Sequence, residues 1–305
     1  MGSTDAPHLT IIAGPTGAGK TALAVELAQR LEAEILSADS QSVYRYFDVG
    51  TAKPSLEELA RVPHHLVSII EPTEEFSAAR WAELARAAIE QIVARGRRVL
   101  VVGGTGLYIR ALLHGLVEVP QGTSAVRPSL LREWKQLGPE WMHRRLAAVD
   151  PESAARLPVN DVLRVIRALE IRTLTGQKAS ALRQAHQFAP AQYPFSLWFL
   201  DPGEALEERL VQRTRALFER GLVEETERLV AAGYRHAPPM RSVGYRQALA
   251  VVDGLMSRAE AEADTFLETR RYAKRQRTWF RREEGTRFIA PPYAAVWEEA
   301  GVPIR

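Results

Sequence analysis

The sequence predicts an α/β protein: a parallel sheet flanked by helices, into which an all-helical segment is inserted. Three observations lead there. Leu9–Ala13 is a short apolar, β-rich run ending at a glycine loop, after which leucines recur at four-residue steps, Leu23, Leu27 and Leu31; that is a strand, a turn and a helix in succession. The same order returns at Arg97–Val102, Gly103–Gly106 and Leu107. From His114-Gly115 to about Gln187 the alternation stops, and Phe195–Leu200 restores strand character.

In chain order, Glu34–Ala38 reads as the second strand, closed by Asp39–Ser42. Val43 to Pro72, with Gly50, Pro54, Pro63 and Pro72, reads as irregular, and so long a loop in a compact domain usually covers a site. Ser77 caps the next helix, on which Trp81, Leu84, Ala88 and Ile92 share a face, and Arg97–Val102 is the third strand. The insertion is a series of helices punctuated by Gly122, Pro128, Pro139, Pro151 and Pro158, with Asn160 capping a helix that ends at Gly176. Beyond Phe195–Leu200 come helices over Ala205–Glu219, Leu222–Ala232, Arg241–Asp253 and Arg258 to about Arg282, then a short strand at Phe288-Ile289. These boundaries divide the chain into a core over 1–115 and 191–305 and an insertion over 116–190.

Composition narrows the function classes. The 305 residues carry 40 Lys+Arg against 37 Asp+Glu, a net charge of +3, so the distribution of positive charge matters more than its sum. Zero cysteines exclude a disulfide framework, a Cys-ligated zinc or iron–sulfur site and thiol catalysis, and they suit a reducing compartment. Hydrophobic residues at 46% and charged residues at 25% are values of a folded globular chain. No apolar run approaches the roughly 20 residues of a membrane span, and the first residues lack a basic region followed by an apolar stretch. The expectation is a soluble, cytoplasmic, monomeric protein.

Gly14-Pro15-Thr16-Gly17-Ala18-Gly19-Lys20-Thr21 fits the phosphate-loop pattern G-x-x-x-x-G-K-[ST] between a strand and a helix. The core is therefore of the P-loop NTPase-like kind. Backbone N–H groups, the Lys20 ammonium and the helix N-terminus would bind a diphosphate or triphosphate, and the Thr21 hydroxyl would hold Mg²⁺. A nucleotide hydrolase needs a further acidic residue at the end of an apolar strand. The third strand ends in Gly103-Gly104, and Asp201 in Asp201-Pro-Gly-Glu204 reads rather as a helix cap. Asp39 closes the second strand at the sheet edge where open α/β folds bind ligands, so it is the candidate general base. Thr105, on the third-strand turn, faces the same crevice. His64-His65 reads as a structural or loop pair rather than a metal site. Arg270, Lys274, Arg277 and Arg281 form one cationic stripe on the last long helix, with Tyr272 and Trp279 on another face; the stripe is open to nucleic-acid contact, helix packing or plain solvation.

Together these segments resemble the bacterial tRNA dimethylallyltransferase (tRNA isopentenyltransferase) family. The resemblance rests on Gly14–Thr21, Ser37–Tyr44 with Asp48–Lys53, His64–Leu66, Gly103–Tyr108, Asn160–Arg164 with Arg167–Glu170, and Ser242–Gln247. It implies transfer of a dimethylallyl group from dimethylallyl diphosphate to N6 of adenosine 37 in the tRNA anticodon stem-loop, with diphosphate released and Mg²⁺ required. Carried over residue by residue, it makes Asp39 the base, Thr105 a residue near both substrates and Arg213 a diphosphate contact. It also implies that Asp39, Ser40, Gln41, Ser42, Thr105, Arg127 and Leu163, Arg164, Val165, Ile166 and Arg167 border the tRNA, with the insertion as its anticodon-arm domain. Contact of Lys274 and Arg277 with RNA phosphates is an expectation from their charge. The competing readings are an adenylate isopentenyltransferase acting on free AMP or ADP, a P-loop small-molecule kinase, and a non-catalytic RNA-binding module.

Overall fold

The computed structural model describes residues 6–116, 125–186 and 190–301. Two compact units are present, one built from residues 1–113 and 191–305 and the other from 114–190. In chain order the elements are β1 (Leu9–Ala13), α1 (Lys20–Leu31), β2 (Ala33–Ser37), α2 (Leu56–Arg61), β3 (His64–His65), α3 (Ala78–Ala94), β4 (Arg98–Gly103) and α4 (Gly106–His114). The second unit holds α5 (Val126–Val149), α6 (Pro151–Arg156), α7 (Val162–Thr175) and α8 (Ala179–His186). The first unit resumes with β5 (Phe195–Leu200), α9 (Leu206–Glu219), α10 (Leu222–Ala231), α11 (Tyr245–Val252), α12 (Arg258–Phe280), β6 (Thr286–Ile289) and α13 (Ala294–Glu299).

The sheet has six parallel strands in the order β3-β2-β4-β1-β5-β6. Leu9, Ile11, Ile12 and Ala13 are fully buried, as expected where helices cover both faces of a parallel sheet. This order places β4 between β1 and β2. The loops at their C-terminal ends, 14–21, 103–106 and 39–42, are therefore neighbours, and that juxtaposition builds the site.

The stretch from Val43 to Pro72 is more ordered than the sequence suggests. It contains α2, started by a capping box in which Ser55 accepts from the Glu58 amide, and the edge strand β3, which pairs with Ile35 and Leu36 of β2. The His65 imidazole meets buried Glu34 at 2.6 Å, and Arg95 donates to the same carboxylate at 2.7 Å. That ion pair to Arg95 leads the causes that lower the Glu34 pKa, ahead of the opposing effect of burial. His65 is thus held in a buried charged cluster, and His64 Nδ1 donates to the Val62 carbonyl oxygen at 2.8 Å.

Within the helical unit, α5 and α7 pack through Leu130, Met142, Leu146, Val165, Ile166 and Leu169. Gly138 breaks α5 with a non-helical φ of 81° just before Pro139. The cap of α7 is Asp161, which accepts from the Arg164 amide at 3.2 Å, and not Asn160; a carboxylate one residue closer to the first turn takes the role. Gly176 ends α7 in the left-handed region, as its sequence position predicts. Gly122 lies outside the described residues.

Candidate active site

The phosphate loop takes its shape from Gly17 and Gly19, which adopt φ of 81° and 84°, a region that L side chains rarely enter. Helix α1 begins at Lys20, leaving the N–H groups of its first turn without intrahelical partners. The Lys20 ammonium folds back and donates to the carbonyl oxygens of Gly14 and Pro15, each at 2.9 Å. Burial draws its pKa down to about 8, with Asp39 opposing the shift and Arg213 adding to it. These three charged groups therefore share one electrostatic environment.

Asp39 follows β2, and its Oδ1 accepts the amides of Gln41 at 2.8 Å and Ser42 at 3.3 Å. Among the described residues nothing donates to Oδ2, so one carboxylate oxygen holds the turn and the other is available to a substrate proton. Thr105 sits beside it, accepting the Ser40 amide at 3.1 Å. Glycines make this approach feasible: a Cβ on Gly103 would lie 2.1 Å from the Ala38 carbonyl oxygen.

A cavity of about 950 Å³ joins these elements, lined among others by Thr16, Lys20, Thr21, Asp39, Arg213 and Tyr272. Arg209, one turn before Arg213 on α9, also lines it and donates to the Ala18 carbonyl at 3.4 Å. Tyr272 interacts with Thr105, and its pKa is pushed up to about 12 by burial and then by the Asp39 charge. Gly50–Ala52 form another part of the cavity wall. Buried Glu225 secures it by accepting the Val49 amide at 3.0 Å and the Tyr245 hydroxyl, while Lys53 donates to Asp48 at 2.6 Å. The Asp48–Lys53 motif is thereby given a physical task.

The basic stripe divides. Arg277 donates to the Asp201 carboxylate and to the Gly203 carbonyl, and Arg270 reaches Glu207 at 3.4 Å, so these two arginines pack α12 on neighbouring elements. Lys274 and Arg281 are exposed. Asp201 also accepts the Gly203 amide at 3.1 Å, but it does not cap α9, whose N-cap is Ala205; the carboxylate is drawn to Arg277 instead. In the helical unit, Leu163 is 75% exposed and Arg164 is exposed, while Arg127 and Arg167 both pair with buried Glu170 at 3.2 and 2.7 Å. Val165 and Ile166 are buried in the core. Helical periodicity turns those two side chains inward, whereas Leu163 and Arg164 of the same segment face solvent.

Sequence reasoning missed Gln276, Arg209, Glu225 and Tyr245, which lie far in the chain from the loops they touch. Gln276 falls at helical spacing on the α12 face that carries Tyr272 and Trp279, and Tyr245 lies within the Ser242–Gln247 motif, whereas nothing local marks Arg209 or Glu225. For Mg²⁺, the described residues hold no cluster of three His, Cys, Asp or Glu. The Thr21 hydroxyl and the Asp39 carboxylate, both on the cavity wall, are hard oxygen donors. That sparse set fits an ion that takes most of its ligands from phosphate oxygens and water.

A family model described as IPP transferase matches residues 42–283. A tRNA dimethylallyltransferase of Myxococcus xanthus is 60% identical over 295 residues, covering 96% of each chain. One from Anaeromyxobacter dehalogenans is 52% identical over 288 residues, 94% of this chain and 96% of its own. Among solved structures, the tRNA delta(2)-isopentenylpyrophosphate transferase of Staphylococcus epidermidis aligns with a TM-score of 0.70 at 32% identity over 97% of both chains. A eukaryotic dimethylallyltransferase described as acting on tRNA gives 0.80 at 26% identity, over 98% of this chain and 81% of that one. Among the described residues no helix is long and apolar enough to cross a membrane. The matched segment begins after the phosphate loop, so the loop, the fold and the match are separate lines that meet in one conclusion: the chain belongs to the IPP transferase family.

Proposed function

We propose that the protein transfers a dimethylallyl group from dimethylallyl diphosphate to the exocyclic N6 of adenosine 37 in the tRNA anticodon stem-loop. The observation that carries this reading is the shared cavity. It sets loop 14–21, whose sequence fits a phosphate loop, and a carboxylate with a free oxygen against the same space. Nitrogen N6 attacks the allylic carbon bearing oxygen, the N–C bond forms, the C–O bond breaks, and both bonding electrons leave on diphosphate. Asp39 takes the N6 proton, which the nitrogen must lose because its lone pair is otherwise delocalised into the ring. Lys20, Arg213 and the amides at the start of α1 stabilise the charge as it builds on the leaving group. The Thr21 hydroxyl would hold Mg²⁺, which would supply further positive charge to the diphosphate.

The adenine must turn out of the stacked loop to reach such a cavity, at a cost of a few kcal/mol. The exposed Leu163 and Arg164, and Arg127 and Arg167, are read as a surface for the anticodon arm. Relatives up to 60% identical named for tRNA support a tRNA acceptor over free AMP or ADP. A monomeric enzyme and a cytoplasmic location complete this reading. The test is incubation with unmodified tRNA, dimethylallyl diphosphate and Mg²⁺, with parallel arms containing AMP, ADP and ATP, followed by mass analysis of nucleosides. An adenosine heavier by one five-carbon group in the tRNA arm alone is expected. Prenylated AMP, or ATP consumption, would replace this reading with one of its competitors.

A further inference from the structure

We propose that Gln276 is a positioning residue for the transfer reaction, its carboxamide setting the distance between the phosphate loop and the turn that carries Thr105. Its Oε1 accepts the Thr16 amide at 3.1 Å, and its Nε2 donates to the Gly104 carbonyl at 3.0 Å. The residue is 6% exposed, so losing either bond leaves a buried polar group unpaired. A glutamine is suited to the place. Bridging an amide N–H and a carbonyl needs one acceptor and one donor on a long arm; glutamate lacks the donor, lysine the acceptor and asparagine the reach.

The surroundings leave the turn little slack. A Cβ on Gly104 would lie 2.1 Å from Gln276 Nε2, and one on Gly106 would lie 2.2 Å from Trp279 Nε1. Gly103 is pressed against Ala38 on the other side, and Thr105 is bonded to Ser40. A continuous chain therefore runs from the donor loop through Gln276 and the glycine turn to the backbone beside Asp39. The Thr16 amide is committed to Gln276 and the Ala18 amide to the Pro15 carbonyl at 3.2 Å, which leaves the amides of Gly17, Gly19, Lys20 and Thr21 to meet the diphosphate. Because the reaction joins two separately bound groups, a displacement near 1 Å between their supports costs on the order of 10²-fold in rate.

This inference rests on the reaction proposed above, and the experiment separates the two. Steady-state kinetics are measured on the full chain with unmodified tRNA, dimethylallyl diphosphate and Mg²⁺. A parent protein that transfers nothing overturns the reaction, and this role with it. With an active parent, Gln276→Met is expected to fold and to lower kcat on the order of 10²-fold, with both KM values within about threefold. A purely structural residue would lower Tm and leave the turnover of folded enzyme unchanged, so parental kcat overturns the positioning role alone. If the Met variant does not fold, Gln276→Asn, with both groups on a shorter arm, is expected to show the same kcat-confined loss, and parental turnover in it has the same overturning force. Gly104→Ala, which must displace the carboxamide, is expected to match Gln276→Ala, and the double variant to be no slower than either. Losses that multiply would also overturn the role.

Discussion

The hydroxyl of Thr105 accepts the backbone N–H of Ser40 at 3.1 Å, joining the turn after β4 to the turn after β2. It fixes the position of Asp39, whose Oδ1 is already spent on the Gln41 and Ser42 amides. Asn at position 39 keeps an acceptor for those amides and removes the base. Asp39→Asn is therefore expected to lower kcat by about 10²–10⁴-fold with Tm and the KM for tRNA near parental values. Rapid-quench measurement of transfer with saturating donor checks it; a parental rate would take the base assignment away from Asp39.

Lys20 is expected to make the proposed donor binding depend on pH. Burial holds its pKa at about 8 in the free protein, below the ordinary lysine value of 10.5, whereas an ammonium against diphosphate is favoured in its charged form. Below pH 8 the lysine is already protonated, and binding costs nothing further. Above it, binding must take up a proton, so the KM for dimethylallyl diphosphate is expected to rise as pH climbs through about 8, approaching tenfold per pH unit. Calorimetry of inorganic diphosphate in buffers of different ionisation enthalpy should show that uptake at pH 9 and not at pH 6.5. A KM that is flat between pH 7 and 9.5 would contradict it.

Much of the core was legible because its signals are local. The strand, loop and helix at Leu9–Leu31 follow from periodicity and from a loop whose glycines the backbone requires, and Asp39 stands out as a carboxylate at a strand end. Tertiary partners were not legible. Nothing local in Gln276 says that its carboxamide meets Thr16 and Gly104, and nothing in Glu225 points to Val49. The two-residue β3 was missed because a strand that short is set by the β2 edge and by the Glu34–His65–Arg95 cluster rather than by its own composition. For Arg277 the sequence leaves nucleic-acid contact, helix packing and solvation open, because it shows the helical spacing but not Asp201 opposite it.

Arg277 and Lys274 should behave differently although they lie on the same helix face. Arg277 spans to Asp201 and the Gly203 carbonyl, partly shielded from water, so Arg277→Ala is expected to cost about 1–3 kcal/mol. That corresponds to a fall in Tm of about 2–6 °C. Lys274 is exposed; Lys274→Ala should leave Tm unchanged and, where it meets an RNA phosphate, reduce the slope of log affinity against log salt by about 0.7. Thermal denaturation with tRNA binding at several salt concentrations distinguishes the two. A parental salt slope for Lys274→Ala would make the exposed part of the stripe a solvated face.

Asp150 governs the acid stability of the helical unit. It is 1% exposed, and its carboxylate accepts the amide and hydroxyl of Ser153 at 3.1 and 2.6 Å and those of Ser180 at 2.9 and 2.6 Å. Burial works to raise its pKa, but these bonds prevail and hold it at about 2, against 3.8 for an ordinary Asp. A carboxyl depressed in the folded state contributes stability above its unfolded pKa and loses it as pH falls toward its folded one. The contribution at neutral pH is therefore about 2 kcal/mol, fading between pH 4 and pH 2. Asp150→Asn keeps the size and one acceptor oxygen but removes the charge. Urea unfolding of this variant and the parent should show a gap of that order at pH 7 that narrows steadily below pH 4. A gap that stays constant from pH 7 to pH 2.5 would mean that packing, and not the ionised carboxylate, ties α6 and α8 together.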